Sequence, residues 1–204
     1  MLENKNLTKF INQQFSKSQS AVIIEKINLY KEMLLDENER INLISKTTAD
    51  DIEDRHFLDS IQLITLIGDK AHSLVDIGTG AGLPGILLAI GGCKSVYLVE
   101  KQAKKCDFLN RVNNKLGLDM HILNLRMEDI GDKQFDYVVS RAFAKLNKII
   151  SITKKITHKN SKYILLKGKT FLDEIKFVNK KRFNINYIDS ITSPDSKIIE
   201  LSYK

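Results

Sequence analysis

The sequence predicts an α/β fold: a seven-stranded, mostly parallel sheet that ends in an antiparallel hairpin and is preceded by helices. Three observations lead there. Before residue 72 apolar residues recur at three- and four-residue steps; from residue 73 onward short apolar runs alternate with amphipathic stretches; and glycines, otherwise sparse, concentrate between Gly78 and Gly92. Alternating β and α elements bury a largely parallel sheet between helices. The chain has 204 residues, 43% of them hydrophobic and 28% charged. That is the balance of a globular protein able to bury one core, not of a disordered one.

Val22, Ile23, Ile27, Tyr30 and Leu34 mark the first helical stripe, and Asp50-Asp51 open a further helix holding Phe57, Ile61, Ile64 and Leu66. SLVDIG (73–78) reads as a buried strand ending in glycine, LPGILLAI (83–90) as a helix with Pro84 in its first turn, and SVYLVE (95–100) as a strand. Lys101 to Leu116 form a helix with Phe108, Leu109, Val112 and Leu116 on one face. MHILNL (120–125) and FDYVVS (135–140) are strands, followed by a helix over 145–157, the strand KYILLKG (162–168) and a helix over 170–182. FNINYIDSI (183–191) and SKIIELSYK (196–204) finish as strands joined by a turn at Ser193-Pro194-Asp195, the hairpin making one edge strand antiparallel. The chain thus divides into a helical extension, 1–72, and a sheet unit, 73–204.

The longest apolar run, 83–93, is too short to cross a bilayer, and the first ten residues lack the apolar region of a signal peptide. Cys93 and Cys106 form no CxxC and read as packing residues in a reducing cytoplasm. The four histidines are scattered, so no metal site is expected. The net charge of +7 is uneven. Residues 1–72 carry 9 basic and 12 acidic residues, a net of −3; residues 101–182 carry 20 basic and 8 acidic, a net of +12. Such asymmetry points to a polyanionic partner for the third quarter of the chain.

The sharpest local signal is the run from Val75 to Gly85: a strand, a glycine loop, then a helix N-terminus that lets a ligand approach backbone N–H groups. Gly80, Gly82 and Gly85 satisfy G-x-G-x-x-G. Glu100, 20 residues after Gly80, ends the next strand where an acid binds ribose hydroxyls. A nicotinamide-dependent oxidoreductase is therefore one reading, and a non-catalytic RNA-binding module another. The spacing Asp76-x-Gly78-x-Gly80-x-Gly82 also resembles motif I of the class I S-adenosylmethionine methyltransferases, a Rossmann-like fold whose loop faces the amino-acid part of the cofactor.

Further stretches narrow the resemblance: Asn42-Leu43, Arg55-His56-Phe57-Leu58-Asp59-Ser60, Lys104 with Phe108-Leu109, Arg126-Met127-Glu128-Asp129, Ser140-Arg141-Ala142-Phe143-Ala144 and Leu166-Lys167-Gly168. With the glycine loop, and in this order, they resemble the bacterial small-subunit rRNA guanine-N7 methyltransferase family (RsmG/GidB) from about residue 28 to the C-terminus. The chain departs from it at Ile44, where the family often has threonine, in having no tryptophan, and at Lys197, where arginine is common. The resemblance implies methyl transfer from S-adenosylmethionine to N7 of a guanine in 16S rRNA of the small ribosomal subunit. A cytoplasmic monomer is the default expectation, with no membrane and no stable protein partner. N7 already carries a free lone pair, so no catalytic base is expected; Arg141 and Lys104 are positioning candidates. The cofactor-binding residues implied are Gly78, Gly80, Gly82, Leu83, Glu100, Met127, Glu128 and Arg141, the last with a structural pair to Asp136 or Asp76 as its alternative. Lys104, Arg126, Lys167 and Lys197 are the RNA-contact candidates. His56 and Asp59, three apart on one helix face, read as structural residues.

Overall fold

The computed structural model describes residues 2, 4–45 and 51–204. Helix α1 (Lys5–Gln14) begins where the Asn4 side chain accepts the N–H groups of Asn6 and Leu7, and α2 (Lys17–Asn38) begins at a capping box between Ser16 and Gln19. Ile23, Ile27, Tyr30 and Leu34 form the buried stripe of α2, as their spacing predicts. Val22 does not belong to it: it lies about 100° around the helix from Ile23 and is 51% exposed. The helix expected at Asp50 opens outside the described residues. The chain continues as a π-helical turn (Glu53–Leu58), the short α3 (Asp59–Ile61) and a 3₁₀ turn (Gln62–Leu66).

From residue 73 the chain runs β1 (Ser73–Ile77), α4 (Gly85–Ile90), β2 (Ser95–Glu100), α5 (Ala103–Leu116), β3 (Met120–Asn124), β4 (Phe135–Arg141), α6 (Leu146–Thr153), β5 (Thr157–Lys167), α7 (Phe171–Ile175), β6 (Phe183–Asp189) and β7 (Lys197–Tyr203). The seven strands lie in the order β3-β2-β1-β4-β5-β7-β6. The first five are parallel, and β7 runs antiparallel to both neighbours. The antiparallel strand is therefore interior and not at the edge, contrary to the expectation from chain order. Side-chain polarity explains the exchange. β7 buries Ile198, Ile199 and Leu201, whereas most of β6 is exposed, so the more apolar strand takes the covered position.

Three other boundaries differ from those expected. Pro84 caps α4 from outside rather than sitting in its first turn. β5 starts at Thr157, because Ser161 fills a bulge opposite Phe135 by donating to its carbonyl at 2.7 Å and accepting from the His158 N–H at 2.8 Å. The helix expected over 170–182 closes after Ile175, and Asn179 turns the chain through Arg182 towards β6.

Period-two alternation along β1 decides which side of the sheet each residue serves. Leu74 joins the larger apolar cluster with Ile27, Tyr30, Phe57, Ile86 and Leu109; Val75 and Ile77 join the smaller one with Phe135, Leu146 and Phe171. The larger cluster draws on residues of both halves of the chain, so the N-terminal helices and the sheet share one core. Tyr30, fully buried, donates from its hydroxyl to the carbonyl of Ala81 at 2.8 Å and packs against Phe57 with ring centroids 5.3 Å apart. Tyr30→Phe leaves that carbonyl unpaired and should cost about 1–3 kcal/mol. A urea titration checks this: the midpoint falls while the slope stays the same, and an unmoved midpoint counts against the bond.

Candidate functional site

Ligands of open α/β sheets bind beyond the carboxyl ends of the strands, beside the point where strand order reverses. Here that point lies between β1 and β4, and the glycine loop leaves β1 there. The loop is fixed by its own hydrogen bonds. Gly78 and Thr79 donate to the carbonyl of Val99 at 3.0 and 3.1 Å, and Gly82 and Leu83 donate to that of Thr79 at 2.9 and 3.1 Å. Gly78, Gly80 and Gly82 all have left-handed φ.

Two carboxylates sit under this loop. Asp76 is fully buried; its Oδ2 accepts from the Thr79 hydroxyl at 2.5 Å and from the Gly85 N–H, the first residue of α4, at 2.9 Å. Its Oδ1 is buried with no hydrogen-bond partner among the described residues. Burial pushes the Asp76 carboxyl up to about 7, against the pull of the Thr79 and Gly85 hydrogen bonds and of Arg141. Glu100, at the end of β2, accepts from the Gly80 N–H at 3.2 Å and from the Gln102 N–H at 2.8 Å. A side chain at Gly80 would meet nothing closer than 4.0 Å, so the loop leaves open room on that side.

Arg141 ends β4 and reaches the π-helical turn, donating to the Arg55 carbonyl at 3.4 Å. Asp59 and Asp76 are the groups whose fields support its charge against burial, so Asp76 does act on it. Asp136 does not: it accepts from Ser73 and pairs with His158 at 3.3 Å, at the opposite end of β4. Burial, with Arg141 and Arg55 alongside, pulls His56 down to about 3, which keeps its imidazole neutral. Asp59, pushed up by burial, accepts from Gln62, Ser190 and Thr192 at 3.1, 3.1 and 2.8 Å. It thereby ties the segment after β6 to the same edge of the sheet.

The remaining expected site residues are distributed unevenly. Leu83 and Met127 are buried in the core clusters beneath the site, so Leu83 offers it backbone only. Glu128 is exposed and pairs with Lys148 of α6 at 3.7 Å. Lys104, near the start of α5, and Arg126, just after β3, are exposed. Lys167 and Lys197 are occupied elsewhere. Lys167 is 9% exposed, donates to the carbonyl of Ala144 and pairs with Glu174 at 2.9 Å; Lys197 pairs with Asp189 at 2.5 Å. A buried, paired ammonium cannot reach a phosphate without breaking its ion pair. That argues against Lys167 as an RNA contact and makes it an anchor of the segment after β4. Sequence reading missed three residues here. Tyr30 carried only the signal of a helix stripe, Asp59 only that of a helix face, and Phe143, whose ring lies against Gly78, stood in its motif without a role.

Among the described residues no group of His, Cys, Asp and Glu could hold a metal ion, and no helix is long and apolar enough to cross a membrane. A family model described as rRNA small subunit methyltransferase G matches residues 23–196. A protein of that name from Rickettsia bellii is 42% identical over 181 residues, covering 88% of this chain and 93% of the relative. One from Rickettsia rickettsii is 40% identical over 182 residues, covering 88% and 94%. Among solved structures, magnesium protoporphyrin IX methyltransferase from Synechocystis with bound SAM superposes with a TM-score of 0.63 at 16% identity, covering 86% of this chain and 97% of that one. Ribosomal protein L11 methylase from Lactobacillus delbrueckii gives 0.62 at 18% identity, covering 72% and 77%. The fold is that of the class I S-adenosylmethionine methyltransferases.

Proposed function

The chain belongs to the rRNA small subunit methyltransferase G family, and from that premise we propose that it methylates N7 of a guanine in 16S rRNA of the small ribosomal subunit. S-adenosylmethionine is the donor and supplies a methyl group activated by its sulfonium. The residues present fit such a cation-bearing group. Asp76 offers a buried, unpartnered oxygen, Glu100 a second carboxylate for the ribose, Arg141 a cation for the carboxylate, and the Gly80 side of the loop leaves room.

The observation that carries this reading is where the Asp76 carboxylate stands. It occupies the N–H of Gly85 at the start of α4. In a dinucleotide fold that helix terminus must be free to receive a pyrophosphate. With that N–H already taken by a buried side chain, the helix terminus has no donor there for a phosphate. The oxidoreductase reading therefore loses its central contact.

The chain's part in the reaction is positional. The N7 lone pair needs no proton removed, so the protein has only to hold the base in line with the methyl group, keep out water and match the moving charge. In this reading residues 73–204 form the catalytic unit, and residues 1–72 are an extension that braces its loop through Tyr30. The exposed Lys104 and Arg126 face rRNA phosphate, and the protein works as a cytoplasmic monomer. Purified small subunits incubated with tritiated S-adenosylmethionine and the protein should yield labelled 7-methylguanosine at one position of 16S rRNA. No label on any guanine overturns the proposal.

A further inference from the structure

Phe143 is a large apolar side chain left 39% exposed at the mouth of the site. Its ring lies against the first glycine of the loop. A Cβ built on Gly78 would stand 2.1 Å from its Cδ2, 2.6 Å from Cε2 and 2.9 Å from Cγ, so only glycine permits the contact. Ala142 before it holds a left-handed φ of 53°, a conformation that L residues other than glycine avoid. The segment is pinned on both sides. Arg141 pairs in register with Leu166 and donates to Arg55; beyond the ring, the Ala144 carbonyl accepts from Lys167, and the Leu146 N–H donates to Glu174 at 2.8 Å. Lys167 and Glu174 are themselves a shielded ion pair. Strained backbone and buried charge persist where a structure over-determines a position. Here what they position is an aromatic ring facing solvent.

Topology says which reactant meets it. Glu100 and Met127 follow β2 and β3, on one side of β1; Phe143 follows β4, on the other. With the nucleoside of the donor towards Glu100 and its carboxylate towards Arg141, the solvent-facing side of the Phe143 ring is the face left to the methyl acceptor. We propose that Phe143 is the platform on which the target guanine stacks, a catalytic residue in contact with the base. This rests on the guanine-N7 reading above. In the transfer, the N7 lone pair forms the new N–C bond, the S–C bond breaks with its electron pair left on sulfur, and positive charge passes to the purine. An aromatic face attracts a cation more than a neutral base, so its grip strengthens as the reaction proceeds. Stacking on aromatic side chains is also how extruded RNA bases are held.

The test compares Phe143→Leu, which keeps apolar bulk over Gly78, with Phe143→Tyr, which keeps the ring. Single-turnover methylation of small subunits should fall tenfold or more in Phe143→Leu and stay within about threefold of the native rate in Phe143→Tyr. Calorimetric affinity for S-adenosylmethionine should change less than twofold in both. A native rate in Phe143→Leu overturns the proposal. So does a loss of cofactor affinity that matches the loss of rate, because the ring then only packs the loop. The chain has no tryptophan, so Phe143→Trp adds a single indole at the site that can be excited apart from the six tyrosines. Its emission should be quenched more by 7-methylguanosine monophosphate than by guanosine monophosphate, and no quenching also overturns the platform. If the native protein labels no guanine, the reading of function has failed rather than the role of Phe143.

Discussion

Gly82→Ala should lower the unfolding free energy by about 2–5 kcal/mol, a large share of the roughly 5–15 kcal/mol that holds a domain together. Two costs add. Gly82 has φ +101°, where an L side chain strains the backbone by about 1–2 kcal/mol. The new methyl would also stand 2.1 Å from Ile86 Cδ1 and 2.9 Å from Leu109 Cδ2. Both neighbours are core residues with almost no exposure, and overpacking such a site costs about 1–3 kcal/mol. Gly80→Ala is the control. Its φ of +59° is equally left-handed, but its methyl would enter open space, so only the backbone cost applies. Urea midpoints separate the two. Equal losses would mean that conformation alone, and not the contact with Ile86 and Leu109, makes Gly82 necessary.

Asp76→Asn should change the dependence of stability on pH. The native carboxyl titrates near 7 in the folded protein because it is buried, and near its ordinary value in the unfolded chain. Below about pH 4 both states hold the proton and the group contributes nothing. Between about 4 and 7 only the folded state holds it, so stability falls by about 1.4 kcal/mol per pH unit, a few kcal/mol in all, and levels off above 7. His56 runs the other way. Its folded value near 3 lies below that of the free imidazole, so it withdraws stability as the pH falls below about 6.5. In the native protein the two slopes largely cancel between pH 4 and 6.5. The asparagine variant keeps the acceptor for Thr79 and Gly85 but loses the acid, so the His56 slope stands alone. The variant should therefore gain a few kcal/mol on the native protein between pH 4 and pH 8 in denaturant titrations. A difference that stays constant across that range rejects the buried acid.

Much of the sheet was legible because strands beside a glycine loop carry local signals. VDIG and YLVE are apolar runs that end on Gly78 and Glu100 of the candidate site, and the interval from Gly80 to Glu100 is that of adjacent parallel strands joined by one helix. What was not legible depended on partners far along the chain or across elements. Nothing around Lys167 indicates that Glu174 and the Ala144 carbonyl will enclose it. Nothing in the stripe of α2 shows that the Tyr30 hydroxyl will reach residue 81. Asp59 finds Ser190 and Thr192 about 130 positions away. The interior place of β7 was hidden for a different reason: hairpin order is readable from a turn, whereas the choice of which member faces the rest of the sheet is a contest of burial between two strands.

That arrangement gives the sheet a direction of unzipping. Among the described residues β6 joins the ladder only through β7, so β6 can peel away by itself while β7 cannot leave without releasing it. Besides the ring contacts of Phe183 with Tyr163 and of Tyr187 with Phe171, the outermost strand is held by a stitch from residues 190–192 to Asp59 and Gln62. It crosses to the helical layer instead of running along the ladder. Asp59 is also the foremost of the groups that hold the charge of Arg141. A pull on the free edge of the sheet is therefore borne by the same carboxylate that steadies Arg141, and the mechanical margin of the fold and the floor of the candidate site meet in one side chain.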